Sequence, residues 1–196
     1  MRFILSGAYL SGFVGMVLVA LLAAAILAGG IEGVSFIALL VRFVHILAAI
    51  SWVGLILFVN FIQLPAVQEA KDRGPLNRYI VRPVTTSFRH ASHLTLATGF
   101  VMLVTSGYAM SQWMYGGAAP VPVLRELLLW SGAAGATAMW AIVHAVIGPN
   151  VDVILSADAS DEAKNAARNK ARDFARINLI LSLPVTLAMV AAAHSY

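Results

Sequence analysis

Residues Arg42 to Pro65 read RFVHILAAISWVGLILFVNFIQLP. The stretch is apolar enough to lie in lipid, yet it carries an arginine, a histidine, a tryptophan, an asparagine and a glutamine. Ionisable groups are costly inside a membrane, and those that occur there face a bundle interior and mark functional sites. At about 100° per residue, His45, Ala49, Trp52, Ile56 and Gln63 fall on one stripe, with Arg42 and Asn60 beside it. Lipid anchorage alone gives a helix no reason to align its polar groups. This helix is therefore expected to form one wall of a cofactor pocket.

The rest of the chain fits a membrane setting. Of its 196 residues 60% are hydrophobic and only 11% charged, against about 25% charged in soluble domains. Mean hydropathy is +0.85. The expected fold class is all-α and integral to the membrane, one bundle of five transmembrane helices over residues 1–196. There are no cysteines, which excludes disulfides, thiolate metal sites, cysteine nucleophiles and haem attached through CxxCH. The net charge of +4 reflects the membrane topology code rather than a nucleic-acid partner.

Helices are predicted at about 4–31, 36–64, 88–113, 123–147 and 174–194. The first run is longer than the roughly 7–15 apolar residues of a signal peptide and is expected to be retained. Its small-residue ladders, Gly7-Ser11-Gly15 and Ala20-Ala24-Ala28, suit close helix packing. Pro65 is expected to stop the second helix and Gly148-Pro149-Asn150 to end the fourth, with a kink at Pro184 in the fifth. The connections at 66–89 and 151–173 hold most of the Lys and Arg. The positive-inside rule then puts those connections and the N-terminus in the cytoplasm, and the C-terminus in the periplasm of a bacterial inner membrane.

All five histidines lie in or at the ends of these segments. Imidazole in a helical bundle is a common axial ligand of haem iron, and also serves as a proton relay or a packing group. His93 and His144 are expected at equal depth on neighbouring antiparallel helices, where they would clamp one iron. On the fourth helix Trp130, Ala133, Thr137, Ala141 and His144 share a face whose small residues would leave room for a flat macrocycle. His90 falls at the interface, near headgroups or propionates. His45 sits toward the outer half of the bilayer, matched in depth with a fifth-helix face of Asn178, Ser182, Val185 and Met189 and with His194. Arg42 would pair with propionates or snorkel to headgroups. No phosphate loop, HExxH or Ser/His/Asp arrangement is present.

The Arg42–Pro65 stretch resembles the histidine-bearing helix of the membrane module of bacterial membrane-anchored urate oxidases. ARINLILSLPVTLAMVAAAHSY at the end of the chain is similar to that module's closing R-x-N-x3-S-x-P helix, and Ile147-Gly148-Pro149-Asn150 to its Trp-Pro-Asn corner. The same pattern resembles membrane protoporphyrinogen oxidases and copper-resistance membrane proteins. The positions that carry over are His45, Trp52, Gly54, Asn60, Pro149, Asn150, Arg176, Asn178, Ser182 and Pro184. The resemblance implies b-type haem, one or two per chain, with His45 as the principal haem-facing histidine. The full oxidases of that type carry a cytochrome c domain, whereas this chain has no CxxCH.

The expected function is therefore a haem b-binding electron-transfer protein, a subunit of a larger membrane redox complex whose partners are other redox subunits or a cytochrome. The expected haem set is His45, His93, His144, His194, Arg42, Trp52 and Met189, backed by Asn60, Asn178 and His90. The alternatives are an accessory subunit whose histidines only pack, and an oxidase acting on urate or a porphyrinogen.

Overall fold

A computed structural model describes residues 7–31, 33–105 and 123–194. All regular structure among them is helical, and it forms five rods. The first is α1 (Ala8–Ala28). The second joins α2 (Gly33–Phe58), a π-helical turn Val59–Gln63 and α3 (Leu64–Glu69). The third joins α4 (Gly74–Leu76), a π turn Asn77–Val81 and α5 (Arg82–Thr105). The fourth joins α6 (Val123–Ile142), a π turn Val143–Ile147 and α7 (Gly148–Leu155). The fifth is α8 (Asp161–His194).

Among the described residues four stretches are long and apolar enough to cross a membrane: Leu10–Ala28, Gly33–Glu69, Leu124–Leu155 and Asp161–His194. The chain is accordingly multi-pass. The described part of the third rod is not among them, because α5 is rich in Arg, His, Ser and Thr. Residues 106–113, which the sequence assigns to that span, lie outside the described residues. The chain divides into two compact units, Met1–Val41 and Arg42–Tyr196, and all contacts below belong to the second.

The connection at 66–89 is mostly helix, contrary to the expectation of a loop, while in the connection at 151–173 the alanine-rich DEAKNAARNKARDFAR stretch is helical as its sequence predicts. Pro65 does not stop its rod, and the Gly148-Pro149-Asn150 corner runs on to Leu155. The turns that remain, 70–73 and 156–160, are tight and capped by their own side chains. Asp72 Oδ1 accepts the Gly74 N–H at 2.9 Å, and Arg73 Nε donates to Val67 O at 3.0 Å. Ser160 Oγ accepts the Ala163 N–H at 3.2 Å, an N-cap contact for α8.

The three π turns have a common cause. A proline ring inside a helix collides with the carbonyl four residues back and donates no hydrogen bond. For Pro65, Pro83 and Pro149 those carbonyls belong to Phe61, Tyr79 and Ala145, each the central residue of a π turn. Widening the turn by one residue accommodates the ring without breaking the rod.

Burial in the second unit centres on Trp52, Ile56, Phe88, Ala136, Met139 and Val143. Against them α8 presents Ala167, Ala171, Ala175, Asn178, Ser182 and Ala192. These small side chains let α8 approach α6 and α7 closely. Arg125 Nε closes the far end of that pairing by donating to Ala192 O at 3.1 Å.

Candidate functional site

The three π turns surround a cavity of about 540 Å³ in the half of the bundle that ends in the turns at 70–73 and 156–160. That volume lies within the roughly 300–1,000 Å³ of small-molecule sites. Its wall takes Val59, Asn60 and Gln63 from the first π turn, Asn77 and Val81 from the second, and Val143 and Ile147 from the third. The first helical turns of α8 add Arg168, Arg172, Ala175 and Asn178, and Arg73 comes from the turn after α3.

The cavity's polar groups are poorly matched to one another. Asn60 Nδ2 donates to Ile56 O at 2.9 Å and Ala175 O at 3.2 Å. Those two carbonyls fix the amide's orientation and point Oδ1 elsewhere, where it is buried with no partner. Asn178 repeats the arrangement: Nδ2 approaches Met139 O at 3.4 Å, and its buried Oδ1 has no partner. Gln63 Oε1, Asn77 Oδ1 and Arg168 Nε are likewise buried without a partner. A buried polar group left unpaired costs about 1–3 kcal/mol, so five in one wall call for a complementary molecule or water.

Charge in the wall has one sign. Arg73, Arg168 and Arg172 line it, and among the described residues no Asp or Glu does. Arg172 is engaged with Asp173 at 3.0 Å. Arg168 meets only the neutral Asn165 Oδ1, at 2.6 Å.

The histidines fall outside this cavity. His45 is half-buried, and its Nδ1 lies 3.0 Å from Thr95 O and 3.1 Å from Thr98 Oγ1. A carbonyl only accepts, so Nδ1 carries the proton and Nε2 the lone pair. His45 thus meets α5 rather than the C-terminal half of α8.

His93 and His144 come together, as their equal depth predicts, with ring centroids 4.0 Å apart. Trp140 completes the group, its Nε1 donating to His93 Nδ1 at 3.0 Å. Ser92, fully buried, gives its hydroxyl proton to Arg89 O at 2.8 Å and meets His144 Nε2 at 3.1 Å.

The remaining candidates are dispersed. His194 is exposed and folds back, Nδ1 donating to Val190 O at 2.8 Å. Met189 packs on Gly132. Trp52 is in the core, its Nε1 buried without a partner. Arg42 and His90 are exposed. On the fourth rod the expected face of Trp130, Thr137 and Ala141 is exposed, and the buried one, Gly132, Ala136, Met139 and Val143, lies a residue away.

For haem, the donor set fits at His45 only. A ligand imidazole normally gives its other N–H to a carbonyl or carboxylate, which is what Nδ1 does with Thr95. The His93–His144 pair is ring against ring, with no layer between the imidazoles for a macrocycle, and His93 Nδ1 is occupied by the indole.

Sequence reasoning found Asn60, Gln63 and Asn178 but missed the inward placement of Arg73 and Asn77, in a connection expected as a loop, and of Arg168, in a polar connection whose alanine-rich part is expected to be helical. The available signal was the alanine-spaced DEAKNAARNKARDFAR stretch, where Ala167, Ala171 and Ala175 follow a helical i, i+4 row leading to Asn178. Comparison of the chain with protein-family models, curated proteins and solved structures gives no match.

Proposed function

We propose that this chain is a multi-pass membrane protein that holds a small anion-bearing polar molecule inside its helical bundle, at the basic end. One observation carries the reading: five residues that line the cavity hold a buried polar atom without a partner, and among the described residues its wall has arginines and no carboxylate. Apolar walls with a few fixed polar groups are the usual design of such sites. The Lys and Arg concentrated at that end support a reading in which it faces the cytoplasm across a bacterial inner membrane. The test is native mass spectrometry of protein purified in mild detergent. A small molecule should travel with the wild type and be lost from Asn178→Leu and Arg168→Gln. Wild type and folded variants that all carry nothing would reject the reading.

A second reading is favoured by the His45–Thr95 contact: b-type haem held by His45 Nε2, with electrons passing to another membrane redox subunit or a cytochrome. Haem would supply the redox chemistry, while the chain supplies the ligand and its orientation. Thr95 O and Thr98 hold the imidazole tautomer that exposes the Nε2 lone pair. A dithionite-reduced minus oxidised spectrum should then show a b-type signal that His45→Ala diminishes. A flat spectrum from folded wild-type protein rejects this reading and leaves the cavity proposal intact.

A further inference from the structure

We infer that the cavity's ligand is an amphiphilic anion, one oxyanion group on a compact hydrocarbon body, with its head at the arginines and its body toward the bundle interior. The inference rests on the proposed binding role of the cavity and specifies what it binds.

Depth in the cavity follows from the order of the wall residues along each rod. The second and fourth rods run into the turns at 70–73 and 156–160, and the third and fifth start from them. The wall residues farthest from those turns are therefore Ile56, Phe88, Val143 and Asn178, three of the four being hydrocarbon. Val84 and Ile147 follow one turn nearer. The polar groups at that depth offer an occupant little. Asn178 is 1% exposed, the oxygens of Asn60 and Asn178 are buried in the wall, and Thr85 donates its hydroxyl to Val81 O at 2.8 Å. Charge sits at the other end. Arg73 lies in the turn itself, and Arg168 stands ten residues before Asn178 on α8, about 15 Å along the axis at 1.5 Å per residue.

Each simpler ligand leaves one end unmet. A small inorganic anion meets the arginines but leaves the deep end unfilled, and apolar cavity space is not filled by water. A neutral hydrocarbon fills the deep end but gains nothing by leaving lipid, whose tails are as apolar as the wall. A cation faces Arg73 and Arg168 with no carboxylate among the described wall residues. Arg172 is already paired with Asp173, so Arg73 and Arg168 hold the head. Each spends an N–H on Val67 O or Asn165 Oδ1 and keeps further donors on the same guanidinium. That planar group suits carboxylate and phosphate alike.

Isothermal titration calorimetry on the full chain in phosphatidylcholine nanodiscs, with empty nanodiscs as the blank, tests this. Phenylpropionate should bind at least about tenfold more tightly than acetate, which lacks the body, and than phenylpropanol, which lacks the charge. Phenylpropylamine should not bind. Arg168→Gln should lower the affinity for phenylpropionate toward that for the alcohol. Ile147→Ser, which makes the wall polar, and Asn178→Leu, which sets a bulkier side chain at the deep end, should lower it toward that for acetate and leave acetate unchanged. Repeating the titration in nanodiscs that contain oleate separates the sources. Competition identifies a fatty acid from the bilayer and unchanged affinity a water-borne acid, and both uphold the amphiphile. Acetate or phenylpropanol binding as tightly as phenylpropionate overturns it, as does no binding of phenylpropionate, and these comparisons need no variant. In any of those cases, a molecule retained by wild type but lost from the variants in native mass spectrometry keeps the cavity reading standing.

Discussion

The imidazole of His45 lies against Gly99, where an added Cβ would come within 3.1 Å of Cε1 and 3.5 Å of Nδ1. The glycine lets α5 accept the ring close enough for Thr95 O and Thr98 Oγ1 to hold it. Gly99→Val should displace the ring and destabilise the protein by about 1–3 kcal/mol, as overpacking does. Thermal unfolding in detergent checks this. If the protein carries haem, the variant should also lose part of the b-type signal.

Three glycines should rank by what stands over them. At Gly135 a Cβ would collide with Val185 Cγ2, and at Gly148 with the Arg89 guanidinium. Val185 is β-branched and wedged between helices, so Gly135→Ala should cost about 1–3 kcal/mol. Arg89 can swing away at the loss of its 2.8 Å pair with Asp152, a part-exposed pair of the kind that contributes about 0–1 kcal/mol. That loss roughly offsets the helix-propensity gain, so Gly148→Ala should be near neutral. Gly54 has nothing within 4 Å, and alanine there should stabilise by up to about 1 kcal/mol. Melting temperatures of the three variants should follow that order.

Asn60 and Asn178 should respond differently to the same substitution. Asn60→Leu removes two hydrogen bonds at 2.9 and 3.2 Å, a loss of about 1–3 kcal/mol at about 0.5–1.5 kcal/mol each, offset in part because its own unpaired oxygen also goes. Asn178→Leu removes one long contact and eliminates an unpaired buried oxygen. It should leave the melting temperature unchanged or higher while abolishing ligand retention. A lower melting temperature for Asn178→Leu than for Asn60→Leu would contradict this account.

The indole of Trp140 fixes His93 by a single hydrogen bond. Trp140→Phe keeps the ring contact and removes the donor, so it should lose about 0.5–1.5 kcal/mol and release His93 Nδ1. Nitrogen-15 shifts of the imidazole should move from one fixed tautomer toward a mixture. An unchanged tautomer would show that the indole does not set it.

Much of the transmembrane layout is legible from periodicity because lipid imposes long apolar runs. The Arg42–Pro65 stripe is right at Trp52, Ile56 and Gln63, all buried, and the near-equal depth of His93 and His144 follows from antiparallel neighbours. Depth alone did not give orientation. The two rings lie against each other at a 34° tilt where a clamp was expected, and His45 turns to α5 because Thr95, Thr98 and Gly99 offer it a carbonyl, a hydroxyl and space. The cavity was hidden for another reason. Arg73 and Asn77 sit in a charged stretch that reads as a loop and Arg168 in one that reads as a helix within a polar connection, and only tertiary packing of Ala167, Ala171 and Ala175 brings that part of α8 inward.

Each π turn amounts to one residue inserted into an α-helix, rotating everything beyond it by about 100° relative to an unbroken 3.6-residue repeat. A relative that lacks Pro65, Pro83 or Pro149 should therefore be one residue shorter within 59–63, 77–81 or 143–147, with its core residues still in register. Single-residue gaps at those three places would distinguish chains that share only the bundle from those that also carry the cavity. Removing one such residue from this chain, with its proline replaced by alanine, should erase one wall of the cavity while leaving the membrane spans intact.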